Sequence, residues 1–351
     1  ACHAPTTPTR IPMQKTTNPV RKALPTDRTP GNSMATQSKA VPAPQAEPER
    51  LMTDRINAGA FPFLLIAPSI VIILIITGFP LLYSLYVSFT PYELLDPGSL
   101  AFEASTAFDN YVRLWGDDVF WKAIWNTVIF LAVTVNLSYL ISLALSQLLA
   151  RVSFGQGLMR TMLMIPMMFA PILVGFQFRW FFNANVGLVN NVLLTLGIIQ
   201  EQGQIAWLVD EPLGMISIII ASVWMNIPVM TIILLAGTVS LPSEVFEAAE
   251  VDGANYWQKF RHITFPLLQP FSYIALTILS LDISRAFDIV RIMTDGGPAH
   301  RTEMIWTYVT RLAIEDTKFG LGSAMSWVTV LLSVLFTLYF FRQLVRTRVV
   351  Q

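Results

Sequence analysis

The stretch Glu247–Leu267, EAAEVDGANYWQKFRHITFPL, decides how the rest of the chain is read. It sets acids, bases, a pair of alanines and a glycine between two long apolar runs. The sequence around it is 54% hydrophobic and only 13% charged, against a usual charged share of about 25%. A plain connector between apolar runs needs polarity but not this ordering. LPSEVFEAAEVDG reads as a short helix, because Pro242 and Ser243 are start signals and Glu244 suits the positive end of the helix dipole. Gly253 then permits a sharp turn that a side chain hinders. ANYWQKFRHI reads as a second short helix with Trp257, Phe260 and Ile263 on one side. Pro266 is placed in the first turn of the following apolar run, where its missing N–H costs little. The expectation is a helix–turn–helix over residues 241–263 that stands in water, with Ala248 and Ala249 small enough for another backbone to come close.

The runs around this hairpin reach about 20 residues, the length that crosses about 30 Å of hydrocarbon. Six are predicted to span a membrane, at about 61–83, 123–149, 161–181, 215–237, 265–284 and 322–341. The fold class is therefore an all-α membrane protein with six transmembrane helices; a membrane β-barrel would show short alternating segments instead. Six spans put both termini on one side, and basic residues in short loops mark that side as cytoplasmic. The loop between spans two and three carries Arg151 and Arg160, and the C-terminal end carries Arg342, Arg346 and Arg348. The loop after span one instead holds Glu93, Asp96, Glu103, Asp109, Asp117 and Asp118. One loop resists the rule: Arg291, Arg301, Arg311 and Lys318 fall on the predicted outer side. Residues 1–57 are rich in Pro, Ser, Thr and Ala with few large apolar side chains, so a disordered cytoplasmic tail is predicted there. With 23 basic and 23 acidic residues the chain has no general attraction to nucleic acid.

The spacing EAA, three residues, Gly, nine residues, Ile, two residues, Pro resembles the EAA loop of binding-protein-dependent ABC importer permeases. In this sequence it is Glu247, Ala248 and Ala249, then Gly253 after Asp252, then Ile263 and Pro266. Phe265 stands where that family commonly has leucine. FDIVRIMTDGGPAHRTEMIWTY, residues 287–308, is similar to the outer segment of the sugar-permease branch, and IAPSIVIILIITGFPLLYSLYVSF in the first run is similar to the maltose-transporter first-permease kind. The likeness runs from about Phe61 to Arg342. It implies a type I importer permease fold with a cytoplasmic coupling helix, in a bacterial inner membrane. It also implies a pore shared with a second, different permease, two ATP-binding subunits gripping the EAA loops, and an extracytoplasmic solute-binding protein delivering a sugar. No G-x-x-x-x-G-K-[ST] phosphate loop occurs in the sequence, so ATP is expected to be used by a partner subunit and no cofactor is expected on this chain.

Polar groups at membrane depth are costly and mark candidate substrate contacts. These are Trp224 and Asn226 on the fourth run, Gln177 and Trp180 (beside Arg179) on the third, and Asp282, Arg285 and Asp288 at the end of the fifth. Asn126, Asn136 and Ser138 lie on the second. Trp with Asn and Asp/Arg groups fits sugar chemistry, in which planar polar groups meet hydroxyls and aromatic faces meet C–H surfaces. Two plainer readings stand beside it: amide side chains join helices by hydrogen bonds, and Asp282 and Arg285, one turn apart, neutralise each other. Catalysis and metal transport are disfavoured, because His3, His262 and His300 share no ligand spacing, Cys2 is the single cysteine, and the methionines of MLMIPMM at 162–168 serve as ordinary apolar filler. A six-span secondary transporter acting as a dimer, and a membrane enzyme or assembly factor with a docking hairpin, remain as alternatives.

Overall fold

A computed structural model of the protein describes residues 61–349. The tail predicted at 1–57 lies outside the described residues. By packing the chain divides into residues 1–66 and residues 67–351; of the first unit only 61–66 are described, as the opening of α1 (Phe61–Ile73). Among the described residues all regular structure is helical, apart from an isolated bridge between Glu93 and Asp96.

A π-turn at Leu74–Gly78 joins α1 to α2 (Phe79–Ser88), so Leu65–Ser88 forms one apolar rod of 24 residues. Its large side chains from Ile70 to Leu82 are exposed, as suits a surface facing hydrocarbon or another chain. α3 (Asp109–Trp115) and α4 (Asp118–Arg151) are separated at Gly116 and Asp117. The Asp117 carboxylate accepts the Val119 N–H at 2.8 Å and caps the 34-residue α4. α5 (Gln156–Met164) and α6 (Pro171–Phe181) follow, then α7 (Leu188–Thr195) and the 27-residue α8 (Leu213–Val239). The hairpin contains α9 (Ser243–Val251) and α10 (Tyr256–Lys259); a π-turn at Phe260–Thr264 and α11 (Phe265–Leu267) lead to α12 (Gln269–Ile283). α13 (Asp288–Met293), α14 (Ile305–Thr310) and α15 (Phe319–Val349) complete the chain.

Two expected spans are not straight. The run at 161–181 is broken, with Gln156–Met168 and Pro171–Phe181 meeting at 93°. The reason is IPMMFAP: Pro166 opens a 3-10 turn, and Pro171 holds Ala170 in an extended conformation (φ −64, ψ 141) that ends any helix. The run at 265–284 is bent by 62° at Leu268. Pro266 therefore sits in the connecting piece, and Pro270 takes the first turn of the span proper. Among the described residues three helices are long and apolar enough to cross a membrane alone, and up to five when each bent pair counts as one span. α15, apolar over Phe319–Leu335, stands where the sixth was expected.

α4 and α8 run side by side in the same direction. Ser142 Oγ donates to the Ile227 carbonyl at 3.1 Å, and further along both helices Gln147 Nε2 donates to Thr238 Oγ1 at 2.9 Å. Ser138, Ser142 and Ser146 are fully buried on one stripe of α4, the small-residue surface that lets apolar helices approach. The core between α4, α6, α8 and α12 is built from Phe130, Val174, Ile218, Met230, Leu234 and Leu279.

The cations of the basic loop that resisted the charge rule are paired, three within the loop and Arg301 with Glu211 just before α8. Arg291 pairs with Asp295 at 2.5 Å and with Glu315; Arg311 pairs with Glu303 at 3.1 Å; Arg301 lies 3.5 Å from Glu211 and Lys318 4.0 Å from Asp316. Glu303 is fully buried, and its backbone carbonyl accepts from Asn126 Nδ2 at 2.9 Å, which fixes this loop to the start of α4. Gly296 turns over the Glu303 carboxylate at φ +79, and an added Cβ would lie 2.6 Å from Oε2.

α8 meets α12 at Gly237, where an added Cβ would lie 2.5 Å from Phe271 Cγ and 2.8 Å from Leu268 Cδ1. Gly237→Val is expected to destabilise the folded protein by about 1–3 kcal/mol through overpacking. Thermal melting in detergent checks this, and an unchanged midpoint would contradict the packing described.

Candidate functional site

Two features carry chemistry: the polar hairpin and a cleft between α8 and the end of α12. The hairpin forms from local signals. Pro242 is extended (φ −63, ψ 127) and cannot continue α8, and Glu244 occupies the first turn of α9. α9 ends at Gly253, in the left-handed region at φ +75, while the Gly253 N–H bonds the Glu250 carbonyl and the Ala254 N–H bonds the Ala249 carbonyl. Asn255 and Gln258 form a reciprocal capping box at the start of α10, with bonds of 2.9 and 2.8 Å. Lys259 bridges to Glu250 at 2.7 Å, tying the two short helices together and holding the Glu250 carboxyl below its usual range.

Glu247, Ala248, Asp252 and Gly253 are exposed, whereas Ala249 turns inward at 9% exposure. Pro266 is also exposed, in α11 rather than on the hairpin tip. Val251 at 88% and Trp257 at 63% exposure leave apolar surface on an otherwise polar projection, the pattern of a surface that meets a partner. The hairpin does not hang freely. The Arg151 guanidinium, at the end of α4, lies 3.5 Å from the centroid of the Tyr256 ring. Trp257 stacks on Phe260 at 5.5 Å, and both face α4 across a groove of about 440 Å³ that also includes Gln147. Through Ser240–Pro242 and through α11 the same hairpin continues into α8 and α12.

The cleft has a volume of about 370 Å³ and brings together four of the seven polar candidates: Asn226, Asp282, Arg285 and Asp288. Asn226 Nδ2 donates to the Ser222 carbonyl at 2.8 Å. Ser222 also lines the cleft; it is 2% exposed, and its hydroxyl oxygen is sealed off with no hydrogen-bond partner among the described residues. Arg285 Nε donates to the Leu281 carbonyl at 3.3 Å, and no ion pair joins Asp282 to Arg285 among the described residues. The expected mutual neutralisation is corrected on that point: α12 ends at Ile283, so Arg285 leaves the helix before it can face Asp282 one turn away. A second cleft of about 330 Å³ shares Arg285 and Phe287 with the first and adds Trp306 and Thr310. Trp306 donates its indole N–H to the Ser284 carbonyl at 3.1 Å, which fixes the ring beside the first cleft.

The other three candidates lie elsewhere. Trp224 packs on Phe178, with ring centroids 5.5 Å apart, and faces α6. Gln177 and Trp180 stand exposed on α6 and line neither cleft. Asn126 holds the Arg301 and Glu303 carbonyls of the loop before α14, and Asn136 bonds back to Ala132 within α4. Ser222 and Trp306 were missed by sequence reading: a serine in an apolar helix carries no local mark, and Trp306 reads equally well as an interfacial anchor. Among the described residues no group of three or more His, Cys, Asp or Glu could hold a metal ion.

Residues 138–349, more than half of the chain, match the family described as the binding-protein-dependent transport system inner membrane component. The chain belongs to this family. The permease is 33% identical over 286 residues to the sulfoquinovosyl glycerol transport system permease protein of Agrobacterium fabrum, covering 81% of this chain and 90% of that protein. It is 30% identical over 283 residues to the trehalose/maltose transport system permease protein of Thermococcus litoralis (80% and 92% covered), and 34% identical over 277 residues to the lactose transport system permease protein of Rhizobium radiobacter (77% and 89% covered). Its fold is that of a chain in the crystal structure of a bacterial ABC transporter involved in import of the acidic polysaccharide alginate, with a TM-score of 0.70 at 22% identity over 85% of this chain and 99% of that one. The permease is thus a non-catalytic membrane subunit in a family whose members depend on a binding protein, and its resemblance to the sugar-permease branch holds.

The Arg151–Tyr256 contact is worth about 0.5–1 kcal/mol at an exposed site. Tyr256→Ala is expected to speed amide hydrogen exchange across residues 243–263 by about two- to fivefold, while Tyr256→Phe leaves it unchanged. Equal exchange in the Ala variant and the parent would show that the hairpin is not held to α4 by this ring.

Proposed function

We propose that this permease is one of two different membrane subunits of an ATP-driven, binding-protein-dependent carbohydrate importer. Its six spans place both termini in the cytoplasm of a bacterial cell. The hairpin of residues 241–263 then stands in the cytoplasm as the coupling element, seated in one of two ATP-binding subunits that use ATP on behalf of the whole machine. An extracytoplasmic solute-binding protein delivers the sugar to the opposite face, and lipid surrounds the exposed apolar rods. The observation that carries this reading is the hairpin itself: a wet, capped helix pair that continues into α8 and α12, is clipped to α4, and presents Glu247, Ala248, Asp252 and Gly253 outward. Closure of the ATP-binding subunits pushes α9, and the helices attached to it rock the two permeases between inward- and outward-open arrangements. The relatives named for trehalose/maltose and lactose support a carbohydrate cargo, as does the cleft that joins Asn226, Asp282, Arg285 and Asp288 to an aromatic neighbour.

Gly253→Asp tests the coupling role. A Cβ at Gly253 meets no atom within 4 Å, so the fold tolerates it at the cost of a left-handed side-chain residue, about 1–2 kcal/mol. The added bulk and charge fall on the turn that enters the partner. The variant is expected to reach the membrane at parental levels and to lose ATP-dependent sugar uptake by at least about tenfold, measured with labelled sugar in intact cells. Parental uptake would remove the coupling assignment.

A further inference from the structure

Arg151 ends α4, Arg160 lies on α5, and no acidic residue stands between them in the sequence. Neither forms an ion pair among the described residues, whereas the cations of the loop around Glu303 are matched by carboxylates. Each stands at the edge of an apolar groove of about 440 Å³. The Arg151 groove follows about three turns of α4, past Leu140, Leu143 and Leu148, and Trp257 and Phe260 of the hairpin form its other wall. The Arg160 groove has Met164 on one side and Ile232, Leu235 and Val239 of α8 on the other. In each groove the guanidinium is the one charged group among the lining residues. Both grooves lie at the hairpin end of the helices, since one is walled by the hairpin and the other reaches Ser240, where α8 gives way to it.

The two cations remain open to a ligand in different ways. Arg151 lies over the Tyr256 ring at 3.5 Å, so the ring takes its face and leaves its N–H edge free. That edge is the planar fork that meets phosphate oxygens two at a time. Arg160 is partly exposed; its Nε is sealed off without a partner, so its charge reaches the surface through the terminal nitrogens. The groove walls take hydrocarbon. Leu140, Leu148 and Phe154 are exposed, which continues the Arg151 groove into apolar surface of the kind that faces lipid. An apolar trough with an unmatched cation at its rim is complementary to an amphiphile with an anionic head, and basic pockets between spans on the cytoplasmic side bind such headgroups. We infer that these grooves hold anionic phospholipids of the cytoplasmic leaflet, with acyl chains along the apolar walls and phosphates at Arg151 and Arg160. The lipid beside Arg151 then seats the hairpin against α4. The inference rests on the proposed cytoplasmic placement of the hairpin and adds a ligand to it.

The test uses the complete transporter, purified with its partner subunits and placed in discs of equal parts phosphatidylglycerol and phosphatidylcholine. Native mass spectrometry counts the lipid that stays with it on release. Phosphatidylglycerol is expected to be retained over phosphatidylcholine by at least about fivefold, the gain from one cation near an anionic headgroup. Arg151→Gln together with Arg160→Gln is expected to abolish that preference, and the corresponding pair of lysine substitutions to keep it. Photoactivatable phosphatidylglycerol is expected to label residues 140–151 and 232–240. Amide exchange across residues 243–263 is expected to be about two- to fivefold slower in discs of phosphatidylglycerol than in discs of phosphatidylcholine, a difference lost in the glutamine variant. Equal retention of the two lipids, a preference that survives in the glutamine variant, or photolabel confined to other helices overturns the inference. So does a cysteine at Leu148 that crosslinks to another subunit and takes no photolabel, which places protein in the groove. None of these results touches the importer reading, which Gly253→Asp tests. A cysteine at the exposed Ser153, with Cys2 replaced by serine, separates the two. Its labelling by an impermeant thiol reagent added outside intact cells would place both grooves in the outer leaflet, and would overturn the cytoplasmic placement and this inference together.

Discussion

Hydrocarbon offers a peptide group no hydrogen-bond partner, and every departure from helix in the spans has to be reconciled with that fact. Proline is the means used here. The 93° break after α5 is bracketed by Pro166 and Pro171, and the 62° break before α12 by Pro266 and Pro270. Each of these residues ends a helical ladder without leaving a free N–H of its own. Donors beside the breaks find nearby carbonyls: Phe169 N–H bonds the Pro166 carbonyl in a tight turn, and Leu268 N–H bonds the Thr264 carbonyl at helical spacing. The chain can therefore change direction within apolar surroundings, and the second change of direction lies directly beside the polar hairpin.

α4 connects the loop that carries Glu303 to the hairpin. Near its start, Lys122 and Asn126 bond the carbonyls of Ala299, Arg301 and Glu303, and so hold the loop that carries the buried Glu303 and its partners Arg311 and His300. In the same region Tyr308, on α14 outside the long spans, donates to Asp117, and burial together with that carboxylate pushes its phenol up, which keeps it a neutral donor. At the end of α4, Arg151 covers Tyr256 of the hairpin. The cleft gathers Asn226 and Arg285, each bonded to a carbonyl of its own segment, with Asp282 and Asp288. Most of the ion pairs gather in the loop fastened to the start of α4, and one more, Lys259–Glu250, ties the hairpin at its other end.

The hairpin was legible because its determinants are local. Pro242, Glu244 and Gly253 each act within four residues, so spacing alone predicts the turn; the Asn255–Gln258 capping box is equally local and was not read. The breaks were less legible, since hydropathy over a window counts proline-flanked residues as apolar and says nothing of direction; two prolines five positions apart in IPMMFAP were the available sign. Pro266 was given the role that Pro270 holds, because both stand in the first turn of a helix and only the bend at Leu268 tells which piece belongs to the span. The resistant basic loop could not be resolved from sequence, because Arg291 finds Glu315 across 24 positions. Of the polar candidates, Asn226 and Trp224 lie two positions apart on α8 and so face different neighbours, a distinction the helical period allows but does not orient.

The central claim is that the hairpin is a cytoplasmic lever seated in an ATP-binding partner. Its most direct test is a cysteine placed at Ala248, which is exposed, in a background with Cys2 replaced by serine. Crosslinking in membranes holding the whole transporter is predicted to join this cysteine to an ATP-binding subunit, at a yield that changes between the ATP-bound and nucleotide-free states. Labelling of the same cysteine by an impermeant thiol reagent added outside intact cells, with no crosslink to that subunit, would contradict the account.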